Sequence, residues 1–294
     1  MTTVTPDRLT APAPAPDVIP IVDEATGLVE RAQWALADGW SIARRNLTHV
    51  RHVPEKLLDV TLQPILFVVL FVYVFGSAIN VPGGSYVEFL MAGIFVQTIT
   101  FTSAGTAISI ADDLSKGVID RFRSLPMARS AVLTGRTGAD LLQSVLGLII
   151  LALTGLLVGW RVHSNPLSVL AAFGLMLLWG YAVSWLGTFF GLLVRTPDAA
   201  QTMLFVIAFP LTFIANTFVP IAGMPPVVQT IAEWNPVSAV VAASRELFGN
   251  AVGPPGDVPF PLQYPILMSI VWSIGLLIVF VPLAVRRYRT ATAA

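Results

Sequence analysis

The sequence predicts an all-α membrane protein with six transmembrane helices, a cytoplasmic amphipathic interfacial helix and an outer re-entrant helical hairpin. Three observations carry that prediction. Hydrophobic residues fill 55% of the 294 positions and charged residues only 12%, about half the charged share of a soluble domain. Six long runs, at 60–87, 89–111, 141–160, 162–194, 199–232 and 258–285, contain no Asp, Glu, Lys or Arg. The basic residues are confined almost entirely to alternate connections between those runs.

The chain opens on a polar, Pro-rich tail over residues 1–30, centred on Ala11-Pro12-Ala13-Pro14-Ala15-Pro16. Alternating Ala-Pro favours an extended, semi-rigid chain and offers no core, so the tail is expected to be disordered. It shows no basic start followed by an apolar core and cleavage site, so no signal peptide is read. An amphipathic helix follows. Leu36, Trp40, Ala43, Leu47 and Val50 recur at helical spacing, Arg44, Arg45 and Arg51 lie off that stripe, and Pro54 ends it. A Trp-bearing apolar face beside basic residues suits a helix lying in the membrane interface. His49 and His52, at i and i+3, have no third metal ligand nearby.

A bilayer core of about 30 Å needs about 20 apolar residues as a helix, and a helix satisfies its own backbone there. The expected spans are Val60–Ile79, Tyr86–Ile110, Leu141–Trp160, Leu167–Val194, Ala199–Val219 and Tyr264–Val285. None alternates as a barrel strand would. Of the 17 basic residues, all but Arg161 and Arg245 fall in the tails or the connections on one side. The positive-inside rule makes that side, with both termini, cytoplasmic.

Two connections stand out. Between the second and third spans lies Asp112-Asp113-Leu-Ser-Lys-Gly117-Val-Ile-Asp120-Arg121-Phe122-Arg123-Ser-Leu125-Pro126-Met127. Ile119, Phe122 and Leu125 share a face and Pro126 stops the pattern. The spacing fits a short helix pressing on a partner and an ordinary solvated loop equally. After the fifth span, Pro220, Pro225-Pro226 and Asn235-Pro236 break the chain around Val228, Ile231 and Trp234. Val237, Val240, Val241, Leu247 and Phe248 follow. Two short helices dipping into the outer leaflet are expected, and irregular backbone at that depth must be covered by protein or water. Gly155-x-x-x-Gly159 and Gly187-x-x-x-Gly191 permit close helix packing.

Several chemistries are missing. No Gly-x-x-x-x-Gly-Lys-Ser/Thr phosphate loop, His-Glu-x-x-His zinc motif or Gly-x-Ser-x-Gly elbow occurs, and Cys is absent. Glu88 and Asp140 lie near span entrances while the span centres carry no charge, unlike an ion-coupled transporter. If the chain transports something uphill, the energy comes from outside it.

The segment Asp112–Met127, followed by Gly135-Arg136 and Asp140, resembles the second cytoplasmic segment of type-2 ABC exporter permeases, most closely the daunorubicin-resistance branch. A second stretch agrees: Phe209-Pro210-Leu211-Thr212-Phe213, Phe218-Val219-Pro220, Met224-Pro225, Glu233-Trp234-Asn235-Pro236-Val237-Ser238 and Arg245-Glu246-Leu247. The resemblance covers Leu36 to Arg289. It implies a six-span permease domain over 31–289, followed by a cytoplasmic tail at 290–294. It implies no cofactor on this chain, with ATP and Mg held by a separately encoded ABC ATPase dimer, and a second permease copy as partner in a bacterial plasma membrane.

By the same resemblance, Asp112, Asp113, Gly117, Asp120, Arg121, Phe122, Arg123, Leu125, Pro126 and Met127 form a coupling helix that docks in the ATPase. Trp40, Arg44, Arg45 and Leu47 belong to the connecting helix. Trp234, Asn235, Pro236 and Arg245 belong to the outer hairpin. Phe95, Phe101, Phe205, Phe209 and Phe213 are candidates for a substrate path, although phenylalanine facing lipid is the ordinary alternative. The expected function is export of drugs or lipids. A lipid or polysaccharide exporter of the cell envelope and a non-transporting scaffold or immunity protein are the alternatives. Nucleic acid is not expected as a partner.

Overall fold

A computed structural model of the chain describes residues 62, 65–76, 79, 81, 84–117, 129–250 and 259–290. Among them every regular element is helical. The first is α1, Ile65–Phe75, whose last turn, Phe71–Phe75, is a π-helix. Helices α2, Tyr86–Ala104, and α3, Thr106–Ser115, meet at Gly105. Then come α4, Arg129–Val158, α5, Pro166–Gly191, and α6, Pro197–Phe213. After a 3₁₀ turn at Ile221–Gly223 follow α7, Pro226–Trp234, and α8, Pro236–Phe248. The chain ends with α9, Phe260–Gln263, and α10, Pro265–Thr290.

Proline punctuation explains where these helices start. Pro166, Pro197, Pro226, Pro236 and Pro265 each open a helix, at a position whose missing N–H has no intrahelical partner to lose. Three starts are also capped. Asn165 Oδ1 accepts from Ser168 N at 2.8 Å, Thr196 Oγ1 from Ala199 N at 3.3 Å, and Asn235 Oδ1 from Val237 N at 2.9 Å. At the other end, α8 stops at Gly249, whose φ of 75° lets Asn250 N return to Arg245 O at 2.9 Å.

Among the described residues four segments are long and apolar enough to cross a bilayer: Tyr86–Ser115, Asp140–Val158, Pro166–Gly191 and Pro265–Tyr288. Ile65–Phe75 and Pro197–Phe213 are shorter apolar helices at the two remaining expected positions. The second span is longer than the expected Tyr86–Ile110. It runs through Asp112 and Asp113 to Ser115, because a helix need not end where its side chains reach water. The fifth is shorter than Ala199–Val219. It stops at Phe213, and the following backbone is irregular and bonded to α8.

Helix α5 is the centre of the bundle, touching α2, α3, α4, α8 and α10. One glycine face makes this possible. A Cβ on Gly191 would stand 2.6 Å from Ala107 O, and one on Gly187 3.2 Å from Ala104 O. The backbones of α5 and the α2–α3 junction are therefore in direct contact. Gly155 lies against the Met91 side chain, while Gly159, with φ 104°, marks the end of α4. The largest core cluster gathers Phe95, Trp160, Phe173 and Phe248 from α2, the α4–α5 connection, α5 and α8. The outward faces of α4 and α10 expose Leu153, Leu157, Val271 and Ile278, as lipid-facing helices should.

Candidate functional site

Two parts of the molecule concentrate the residues singled out by sequence. One is the polar end of α3. Ile110 and Ala111 are buried there, whereas Asp112, Ser115 and Lys116 turn outward. Lys116 Nζ pairs with Asp112 Oδ2 at 2.7 Å, and Ser115 Oγ donates to Asp112 O at 2.9 Å. Gly117 follows with φ 65°, a left-handed conformation in which any side chain is strained. Asp112 and Asp113 thus lie in the last turn of a helix that is continuous with the second span, and Gly117 lies in the turn that follows it. Asp120, Arg121, Phe122, Arg123, Leu125, Pro126 and Met127 lie outside the described residues, as do Trp40, Arg44, Arg45 and Leu47.

What lies behind that turn matters mechanically. Ala107 and Ala111 pack with Ala200 of α6, and Ile110 clusters with Trp185 of α5, Leu192 just beyond it, and Ala284 and Tyr288 of α10. Thr106 Oγ1 lies 2.6 Å from Asp140 Oδ2 of α4 and 2.6 Å from Ser103 O. Asp112–Gly117 therefore lies within one or two helical turns of contacts with α4, α5, α6 and α10.

The second part is the junction of α6, α7 and α8. Backbone from Ile214 to Pro220 is neither helix nor strand, and inside a bilayer its polar groups need partners. Helix α8 provides some of them, and Tyr86 Oη donates to Phe218 O at 3.4 Å. Arg245, 4% exposed, donates from Nε to Phe89 O at 2.9 Å and from Nη2 to Asn216 O at 2.7 Å and Thr217 O at 3.3 Å. Its guanidinium also sits 3.5 Å from the Phe89 ring centroid. Ser238 Oγ accepts from Asn216 N at 3.1 Å, and Asn235 Nδ2 donates to Leu211 O at 2.7 Å. Gly93 lets α2 approach this turn, since a Cβ there would be 2.2 Å from Thr217 O. Of the hairpin residues, Asn235 and Arg245 are buried in this clamp, Pro236 opens α8, and Trp234 is half exposed.

The five candidate path phenylalanines do not form one surface. Phe95 is fully enclosed, with ring centroids of Trp160, Phe173 and Phe248 at 5.2, 5.8 and 6.0 Å. Phe101 meets Phe205 at 6.2 Å, and Phe209 stacks on Phe213 at 4.1 Å. Phe213 continues through Phe218 to Phe71 of α1. Phe205 and Phe209 leave about half their surface open on the outside of α6.

Sequence reasoning did not single out Gly93, Asn216, Thr217 or Ser238 as members of the clamp. A polar Asn-Thr pair inside the charge-free run 199–232 was the available signal. It also passed over His163, whose Nε2 lies 2.9 Å from Glu88 Oε1, because 75 residues separate them. Among the described residues no group of three or more His, Cys, Asp or Glu could hold a metal.

Comparison with known proteins places this geometry in context. Residues 38–248 match the family model described as ABC-2 type transporter. The daunorubicin resistance ABC transporter permease protein DrrB1 of Streptomyces coeruleorubidus is 32% identical over 249 residues, 85% of each chain. The doxorubicin resistance ABC transporter permease protein DrrB of Mycobacterium tuberculosis (strain CDC 1551 / Oshkosh) is 25% identical over 212 residues, covering 69% of this chain and 73% of the relative.

Proposed function

The chain belongs to the ABC-2 type transporter family as the transmembrane permease subunit of an ABC exporter, with ATP hydrolysis on a separate subunit, and from that premise we propose that it exports hydrophobic or amphipathic molecules, drugs or lipids, driven by ATPase closure against the end of α3. The observation that carries the reading is the continuity of that helix. Asp112–Gly117 extends a span whose next turns touch α4, α5, α6 and α10. A docked ATPase needs such a rigid lever. The resistance names of the relatives favour amphipathic drugs as cargo.

In this reading residues 31–289 form the permease domain, flanked by tails at 1–30 and 290–294. Both termini face the cytoplasm, since the basic residues gather there. Two copies of the permease pair on an ATPase dimer that holds ATP and Mg. The exposed apolar side chains Tyr73, Val74, Phe205 and Phe209 suit burial against a second copy. The remaining segment Asp120–Met127 completes the ATPase contact, with Arg121 or Arg123 as an anchor.

The test is co-purification of the permease with its ATPase, followed by ATP hydrolysis in nanodiscs across a panel of amphipathic drugs, lipids and glycans. Drug- or lipid-dependent stimulation supports the reading. Stimulation by glycans alone, or failure of any ATPase to associate, overturns it.

A further inference from the structure

Helix α6 packs on α2 and α3, with Ala200 and Leu204 against Ala107 and Ala111, and it closes only partly on α5. Between α5 and α6 a cavity of about 210 Å³ remains, lined also by Thr100 and Ala104 of α2, Pro236 of α8 and Leu276 of α10. Its floor is Thr100, Trp179 and Ala208, all buried, and its rim is Phe190, Met203 and Leu276, all partly exposed. The only polar side-chain atoms in the floor are already engaged with each other. Trp179 Nε1 donates to Thr100 Oγ1 at 2.9 Å, and Thr100 Oγ1 donates to Val96 O at 2.7 Å. No free polar group is left to hold water, so the cavity is dry.

A dry cavity of roughly 150 Å³ takes a molecule the size of benzene. At about 210 Å³ this one admits a single substituted ring or a short length of hydrocarbon chain, and it is too small for a polycyclic drug. Its rim belongs to charge-free segments that face the bilayer interior, where lipid chains are the abundant apolar solute. An empty space there leaves the lining side chains without contact partners on one side.

We propose that this cleft is a binding site for one hydrocarbon chain of a membrane lipid, lodged within a single protomer between α5 and α6. The inserted chain holds α6 apart from α5. It thereby sets the position of the helix that carries Phe205 and Phe209. The inference rests on the reading of the chain as a bilayer-spanning permease but not on the identity of its cargo.

The experiment uses the permease with its ATPase in nanodiscs containing a phosphatidylcholine that bears a mid-chain diazirine. After photolysis, peptide mass spectrometry locates the adducts. Adducts at Met203 and Leu276 are expected, together with a background on the lipid faces at Leu153 and Ile278. Ala208→Phe, which fills the floor, removes the cleft adducts and leaves the background. Leu276→Ala, which widens the mouth, raises labelling at Met203, so the site is tested even if Ala208→Phe folds poorly. Labelling confined to Leu153 and Ile278 in the native chain overturns the proposal. So does loss of the Met203 adduct on adding excess doxorubicin, which makes the cleft a cargo site instead. Retained ATPase association in the same samples separates either failure from failure of the transport reading.

Discussion

Arg245→Met is the most informative single change at the α6–α8 junction, because it keeps the apolar stem and removes only the guanidinium. Asn216 O and Thr217 O then lose the donor that bonds them, and each unmet buried acceptor costs about 1–3 kcal/mol. Loss of the contact with Phe89 adds about 1–2 kcal/mol for a desolvated cation–π pair. Against this stands relief from burying a cation, which is worth several kcal/mol after relaxation. The net expectation is a loss of about 2–4 kcal/mol, since three bonds and a ring contact fail together. In a chain of this size that corresponds to a fall in Tm of roughly 4–12 °C. Thermal unfolding of the permease in nanodiscs, followed by intrinsic fluorescence, measures it. Arg245→Lys should recover less than half of the loss, because one ammonium cannot reach Phe89 O and Asn216 O at once. An unchanged or raised Tm for Arg245→Met refutes the reasoning. The guanidinium would then be a tolerated burden rather than the fastening of the turn.

Four further outcomes follow from the same geometry. Gly93→Val should destabilise by more than about 2 kcal/mol, or fail to insert, because its Cβ would meet Thr217 O at 2.2 Å and small-to-large changes there cannot relax; Gly174→Val, with nothing within 4 Å, is the control, and membrane yield with Tm reads both. Gly117→Val should lower ATPase association or uncouple hydrolysis from export while leaving insertion intact, since its φ of 65° costs a β-branched residue about 1–3 kcal/mol; normal export by this variant removes the coupling assignment. Asp112→Asn, which breaks only the exposed pair with Lys116, should shift Tm by no more than the equivalent of about 0.5 kcal/mol. In this Cys-free chain, Ser115→Cys should react with membrane-impermeant thiol reagents only from the cytoplasmic side and Gln263→Cys only from outside; the reverse pattern overturns the orientation.

Much of the fold was legible because a bilayer enforces a local rule. In a bilayer a helix satisfies its own backbone, so each of the six runs marked a helix before any tertiary contact was known, although the fifth run also holds the irregular backbone Ile214–Pro220. Proline and its preceding Asn or Thr likewise set the starts at Pro166, Pro197 and Pro236 through bonds that span two or three residues. The turn at Gly117 was not legible in this way: the sequence places the residue in a short helix or a solvated loop running to Pro126, whereas it follows the end of α3 with a φ of 65°. Likewise, charge at Asp112 suggested an earlier end to the second span, because side-chain polarity marks where water begins and not where hydrogen bonding stops.

Other features depended on partners far away in the chain. Arg245 read as an outer-face basic residue until tertiary structure set it against Phe89, Asn216 and Thr217, which lie 28 to 156 positions distant. Phe95 and Phe205 have the same chemistry, yet one is enclosed by Trp160 and Phe248 and the other faces outward. The glycine spacing at 187 and 191 promised a close approach without naming its partner, and packing made that partner the α2–α3 junction. Sequence by itself determined which segments lie in the membrane and where most helices begin, since those follow from solvent and from neighbours along the chain. Only the tertiary structure decided which polar groups close the turn after α6 and which apolar faces stay open, because burial in a bundle belongs to pairs of helices and not to either one.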